Sequence, residues 1–383
     1  MVDTSRNRVI FADCGGDFVD IVLSSLTLPM ASIFRLIGKD DMPVGSMHNI
    51  YRSVESLDNS YFRNEACKTM LLRPFDVAMA KLYSFLAISS ENLNETREIF
   101  YCHYCFSSNK ICSLYKGAQC SCGWNMDTLL TDTFLNDGKV SSTLQPEADF
   151  FPGTETKSSS LPEAIKLKLA INKRDKTVIF AEDNSEFVNL LFSFLRLPVG
   201  CIVKLFDGQI NFGCFQNIYK SVEALRLADC FISKERENMV MCPKSPPFSS
   251  TKNVPLIQVQ ESEPDTLYVC SKFPSCITKY GKLPIGYKTC VCLKSGDVPV
   301  SLQDPKQSES AAGFIIGSTY VISYNLSMNP WSGISVASFY LDGAFDGGLE
   351  FITVEIGPQQ VHNLHNFLLI IIMNCLGRIA DHV

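Results

Sequence analysis

Eight of the sixteen cysteines fall into two clusters whose spacing suits metal chemistry. The first cluster is Cys102-x2-Cys105, then fourteen residues, then Cys120-x-Cys122 followed by Gly123. The second is Cys270-x5-Cys276, then thirteen residues, then Cys290-x-Cys292. A thiolate is a soft donor, and a structural zinc site asks for four such ligands at the corners of a tetrahedron. Two cysteines on one tight turn bring their sulfurs together without long-range folding, and the loop between the pairs closes the other half. Four thiolates on one ion would also help to order a region short of apolar residues. The spacing therefore predicts structural zinc at both clusters, although Cys-x-Cys is a tighter knuckle than Cys-x2-Cys and the five-residue gap is loose. Cys112 or His103 could replace one ligand of the first cluster. The competing readings are buried free thiols and, at Cys102 and Cys105, a redox dithiol. The remaining cysteines, Cys14, Cys67, Cys201, Cys214, Cys230, Cys242 and Cys375, stand in apolar or helical contexts and read as small core residues.

The loop of the second cluster carries a different chemistry. Lys272, Lys279, Lys282 and Lys288 lie between Cys270 and Cys292 with no acid among them, interleaved with Phe273, Tyr280 and Tyr287. Such a loop could meet phosphates and stack bases, or be no more than a solvated surface. The first cluster offers only Lys110 and Lys116 in the equivalent place. A formal net charge of −6 argues against a chain built wholly for nucleic acid.

The elements that must position these groups occur twice. Val9–Leu36 and Val178–Leu205 align without a gap, twelve of 28 positions being identical, and Gly45–Leu57 matches Gly213–Leu225 at eight of 13. A repeat of this kind predicts two copies of one module. Each copy reads as a short strand (Val9–Ala12, Val178–Ala181), then a helix with an acid, Asp17 or Glu186, in its first turn. Phe18, Val19, Ile21, Val22, Leu23 and Leu26 make that helix apolar nearly all round, as a core helix should be. Pro29 and Pro198 break it, and a second short helix follows through Ile33–Leu36. Met47, Ile50, Tyr51, Val54 and Leu57, repeated as Phe215, Ile218, Tyr219, Val222 and Leu225, form the apolar stripe of a third helix. Tyr51 and Tyr219 belong to that core face. Asn49 and Asn217 read as solvent-facing or capping residues rather than ligand contacts. In the second copy Leu167, Leu169 and Ile171 alternate with Lys166 and Lys168, predicting a leading strand in a hairpin with Val178–Ala181; the first copy lacks that strand.

The expected fold class is α+β: two tandem strand–helix–helix modules, each with a zinc-knuckle-like loop. The boundaries are 1–136 for the first copy, 137–165 for a flexible Ser-, Thr- and Pro-rich linker, 166–300 for the second copy and 301–383 for a strand segment and a divergent tail. Residues 1–136 hold twelve basic and fifteen acidic residues, and 166–300 hold eighteen and thirteen, so the copies present different electrostatic faces. Pro243–Asp265 reads as a long mobile loop. Tyr320, Ile322, Tyr324, Leu326 and Met328 alternate as one strand, and Ser332–Tyr340 starts another element. Hydrophobic content of 46% with 19% charge describes a folded chain. No secretory signal opens it, so cysteines in a reducing, intracellular compartment, cytoplasmic or nuclear, are expected. The run Phe367–Met373 is far shorter than the ~20 residues a membrane span needs.

The repeated "VIFAE…FV.LL.S.L.LP.G…..L" stretch, the "G…NIY.SVE.L" helix, the Cys-x2-Cys…Cys-x-Cys-Gly cluster and the late "YVISYNLSMNPWSGIS" together resemble the plant proteins grouped as domain of unknown function 674. The resemblance covers most of residues 1–345. It implies a tandem-copy plant protein and brings no activity with it. Unlike the second copy, the first has no "YVISYNLSMNP"-like segment after its cluster.

No phosphate-binding loop, dinucleotide fingerprint or paired-histidine protease motif occurs, and no serine, cysteine or carboxylate stands in a recognisable nucleophile setting. His362-x2-His365 reads as incidental. The function expected from the sequence is a non-catalytic protein-interaction scaffold with an unknown protein partner. Nucleic-acid binding through the Cys270–Cys292 loop is the alternative, and an enzyme of unknown type is the weakest reading.

Overall fold

A computed structural model describes residues 13–37, 45–74, 98–130, 164–174, 177–206, 214–249, 259–264, 267–269, 277–278, 298–306, 313–341 and 348–356, with 2–3, 5 and 8–9 near the N-terminus. The first copy opens with β1 (Val2–Asp3) antiparallel to β2 (Arg8–Val9), Val2 opposite Val9 as Ile171 is opposite Val178, so it does hold a two-residue leading strand where the sequence predicted none. Helix α1 (Gly16–Ser24) carries Asp17 in its first turn and tightens into a 3-10 turn at Ser25–Thr27. Leu28 is then extended, and α2 (Met30–Ile37) starts directly after Pro29, as the proline predicts. Helix α3 (Gly45–Ser56) buries Met47, Ile50, Tyr51 and Val54, the predicted stripe, and Leu57 behind it is buried too. Asn64 caps α4 (Glu65–Leu72) by accepting from the Cys67 N–H at 2.9 Å. Short pieces follow: β3 (Ile99–Tyr101), α5 (Phe106–Asn109), β4 (Ile111–Ser113), β5 (Ala118–Gln119), β6 (Asn125–Met126) and β7 (Thr128–Leu130).

The second copy begins with the predicted hairpin, β8 (Ile165–Asn172) and β9 (Val178–Asp183), Leu169 facing Ala181. The helices recur as α6 (Glu186–Ser193), a 3-10 turn at Phe194–Arg196, α7 (Val199–Leu205), α8 (Cys214–Leu227) and α9 (Lys234–Met241). Then come β10 (Leu267–Val269), β11 (Ile277–Thr278), β12 (Val298–Leu302), β13 (Tyr320–Ser323), β14 (Met328–Pro330), α10 (Gly333–Leu341) and β15 (Leu349–Ile356). The alternation from Tyr320 to Met328 is thus a hairpin and not one strand: Leu326 takes a positive φ of 63° in the turn, and Ile322 pairs with Met328. The fold mixes helices with two larger sheets. One is antiparallel, in the order β14-β13-β9-β8-β15; the other runs β11-β10-β12-β4-β3-β7. Among the described residues the one parallel pairing in the second is β12 with β4, Ser301 opposite Ile111, and it joins strands of the two copies. Among the described residues no helix is long and apolar enough to cross a membrane.

The copies meet at a reciprocal seam. Met30 N–H donates to the Leu197 carbonyl and Val199 N–H to the Leu28 carbonyl, both at 2.9 Å, with Pro29 opposite Pro198. These are the same three positions of the repeat, so each copy offers its partner the same backbone. Proline has no N–H to leave unpaired between the two donors. The approach is close: a Cβ on Gly200 would sit 3.1 Å from the Leu26 carbonyl oxygen. Helices cross the seam as well, α1 packing on α8 and α3 on α6, and one apolar core draws Leu26, Ile50 and Met70 together with Phe187, Phe192 and Ile202.

Arg196 locks this core. Its guanidinium is fully buried and donates to the carbonyls of Met70 and Pro247 at 2.6 Å each, to Ser249 Oγ at 3.1 Å and to Tyr115 Oη at 3.3 Å. Nearby, the equally buried Lys306 holds both oxygens of Asp304 at 2.9 and 3.0 Å and donates to the Phe248 carbonyl. Burial pushes its ammonium pKa down, against the pull of Asp304. The described ends of Pro243–Asp265 are therefore fastened, with Ser245 bridged to Glu261, and do not match the expectation of a mobile loop.

Two other expectations are corrected. Helix α1 is no core helix throughout: Phe18 is 53% exposed and Val19 lies at the surface, because among the described residues no sheet covers them. Of the cysteines assigned to the core, Cys67 and Cys201 are buried, each pushed up to about 12 chiefly by desolvation. Cys14, Cys214, Cys230 and Cys242 are exposed; they lie on helix ends and outer faces that periodicity alone does not orient. Cys375, the Phe367–Met373 run and His362 and His365 lie outside the described residues, as does most of the 137–165 linker.

Candidate metal centre

The thiols of Cys102, Cys105, Cys120 and Cys122 converge until all four sulfurs lie within 4.8 Å of one another. Cys105 Sγ is 3.0 Å from Cys120 Sγ and 3.5 Å from Cys122 Sγ, and Cys102 Sγ is 3.5 Å from Cys122 Sγ. Two local structures deliver them. In the first, β3 ends at Tyr101 and the chain turns into the single helical turn of α5. The Phe106 N–H donates to the Cys102 carbonyl at 3.1 Å and the Asn109 N–H to the Cys105 carbonyl at 2.9 Å. In the second, the β5–β6 hairpin closes over Cys120–Trp124: the Cys120 N–H reaches the Trp124 carbonyl at 2.8 Å and the Gly123 N–H the Cys120 carbonyl at 2.9 Å. Gly123 stands at φ +88°, a conformation that a side chain would strain. That is the physical reason for glycine directly behind the second pair.

Phe100 and Met126 pack under the buried Cys102 and Cys120, while Cys122 faces solvent. Above the cluster, Tyr104 and Trp124, one on each knuckle, stand 4.9 Å apart ring to ring, 69% and 60% exposed. Cys105 holds its proton more tightly than a free thiol, first through its contact with the Cys120 sulfur and then through desolvation. The donor set fits a metal ion. At a metal–sulfur distance of about 2.3 Å, sulfurs at the corners of a tetrahedron lie roughly 3.8 Å apart; the three close pairs, at 3.0–3.5 Å, fall short of that separation by less than an ångström, and no pair exceeds 4.8 Å. Four soft donors with no other polar side chain in the group suit a soft or borderline cation.

The predicted first cluster is therefore brought together in full, and neither proposed substitute joins it. Cys112 sits inside β4, packed with Ile99, Phe106 and Leu267, its thiol pushed up to about 12 by burial. His103 points outward, edge-on to Tyr104 at 5.8 Å. Cys270, Cys276, Cys290 and Cys292 lie outside the described residues, as do Lys272, Lys279, Lys282 and Lys288. Among the described residues the tetrad is the one cysteine–histidine–carboxylate group placed to hold a metal. The aromatic pair was missed by sequence reading; its signal was one large ring at each knuckle, Tyr104 between Cys102 and Cys105 and Trp124 directly after Cys122-Gly123. Asn49 was misread: its side chain donates to the Asn325 carbonyl at 2.9 Å, 276 residues away.

Fold and site together define a mixed α and β chain built on a duplicated unit, with a thiol tetrad on paired knuckles. The chain belongs to the family described as Protein of unknown function (DUF674), whose model matches residues 1–156 and again residues 159–371, two tandem copies. The second match runs well past residue 345, where the visible resemblance ended. No curated protein and no solved structure is significantly similar to the chain.

Proposed function

We propose that this protein is a non-catalytic interaction scaffold of two strand–helix–helix modules, stapled by structural zinc and acting inside the cell. The observation that carries the reading is the convergence of Cys102, Cys105, Cys120 and Cys122 within 4.8 Å. Cys102 and Cys120, buried over Phe100 and Met126, with the half-buried Cys105 and the exposed Cys122 suit a closed four-sulfur site, which leaves zinc no open position for a substrate. A reducing compartment keeps such thiols free to ligate. The exposed Tyr104–Trp124 pair supports an interaction role, since aromatic side chains of this kind concentrate binding energy at interfaces.

Metal analysis of the purified protein tests the staple. At least one zinc per chain is expected, with Cys102→Ser losing one equivalent and loosening the knuckles to proteolysis, while Cys112→Ser keeps its full metal content. A zinc-free protein whose proteolytic pattern is indifferent to Cys102→Ser would overturn the reading.

A further inference from the structure

The seam lets each helical groove be compared with its sibling. In one, α3 and α6 face each other, and the segment Gly313–Pro330 fills the space between and beside them. Met328 N–H donates to Ser53 Oγ at 2.8 Å, Asn49 holds the Asn325 carbonyl, and the Phe314 N–H donates to Asn189 Oδ1 at 2.7 Å. Phe314, Leu326 and Met328 are buried in the core beside Phe187 and Ile50. The Arg63 N–H donates to the Phe314 carbonyl at 3.0 Å, and Ile315 bridges to Phe62.

In the sibling groove, α1 faces α8, and the repeat supplies the same residues. Phe18 stands for Phe187, Ile218 for Ile50, Asn217 for Asn49, Ser221 for Ser53 and Asp20 for Asn189. Among the described residues no segment covers it. Phe18 is 53% exposed where Phe187 is fully buried, and Asn217, Ser221 and Asp20 are exposed. Ile232, which takes the place of Arg63, is 83% exposed. A cavity of about 240 Å³ remains, lined by apolar side chains including Val22, Leu23, Ile218 and Leu225. An apolar cavity of roughly 150 Å³ already admits a benzene ring, so this one has room for a bulky side chain.

We propose that the α1–α8 groove is an acceptor site for an extended segment of a partner protein, of the same chemistry as Gly313–Pro330. That chemistry is a hairpin-forming strand with bulky apolar residues at alternate positions. Asn217 would hold a carbonyl of the incoming backbone, and Ser221 and Asp20 would accept its N–H groups. This is completion of a fold by a strand in trans. The proposal deepens the scaffold reading by naming its docking surface, and it is independent of the thiol tetrad.

The test is fluorescence anisotropy of a labelled synthetic peptide spanning residues 313–330, titrated with the full chain. Saturable binding of one peptide per chain is expected. Phe18→Asp and Ser221→Arg should each weaken it by ~10-fold or more, about 1.4 kcal/mol. So should a peptide carrying aspartate at the Leu326 and Met328 positions. Both protein substitutions fall on exposed residues, and an unchanged Tm confirms that each variant is folded. No saturable binding, or binding indifferent to both variants, overturns the proposal; indifference would mean that the peptide displaces the chain's own segment from α3 and α6. Self-association in sedimentation that Phe18→Asp abolishes, without peptide binding, assigns the groove to a second copy of the chain and overturns it too. Failure here leaves the zinc staple standing, and a zinc-free protein that still takes the peptide removes the staple and keeps the groove.

Discussion

Helices α1 and α6 descend from one repeated stretch, share Phe-Val at the same turn, and live in opposite surroundings. Phe187 and Val188 lie beneath β8 and β9 and beside Phe314, with no exposure at all, while Phe18 and Val19 face solvent. The difference does not arise in either helix. Among the described residues it comes from what covers each: β8, β9, β13 and the Phe314 turn for one, and the two-residue strands β1 and β2 near the start of the other. A helix that is apolar all round states a demand for cover, and the rest of the chain decides whether that demand is met.

The sharpest way to break this comparison is at Arg196, whose position in the first copy is held by Thr27. Arg196→Ala strips hydrogen bonds from the Met70 and Pro247 carbonyls and opens a cavity in the shared core. A loss of roughly 3–5 kcal/mol is expected in urea unfolding. Thr27→Ala removes one local bond to the Ser24 carbonyl and should cost about 1 kcal/mol or less. Next, Phe187→Ala should cost about 3–5 kcal/mol, and Phe18→Ala less than about 1 kcal/mol. Equal losses at the two phenylalanines would mean that α1 is covered after all.

The last effect concerns pH. Asp183 accepts from the Phe187 and Val188 N–H groups at 2.9 and 3.3 Å, yet burial outweighs those bonds and raises its carboxyl to about 6. The folded chain then binds this proton more tightly than the unfolded chain. Stability from this group is complete below about pH 4 and is lost as pH rises through 6, on the order of 3 kcal/mol in all. Asp183→Asn should flatten that slope in chemical unfolding measured from pH 4 to 7. The sibling position is the exposed Cys14, and Cys14→Asp should add no slope of its own.

Much of this molecule could be read from local pattern. The proline breaks, the stripe from Met47 to Leu57, the β8–β9 hairpin and the first thiol tetrad all depend on residues close in sequence, where period and spacing are informative. What stayed hidden depends on distant partners. The bond from Asn49 to Asn325, the parallel join of β12 to β4 and the burial of Arg196 each link segments more than a hundred residues apart in at least one contact. An asparagine on a helix looks alike whether it meets water or a carbonyl, and a buried arginine has the same neighbours in sequence as an exposed one.

Leu28–Met30 against Leu197–Val199 also has a bearing on how such a chain comes apart. Since each half clasps the other with its own duplicate, and one β-layer runs unbroken from β11 to β7, nicking the connector between them should release neither. Heat should undo both in a single cooperative step, as in an obligate dimer whose subunits happen to share one thread.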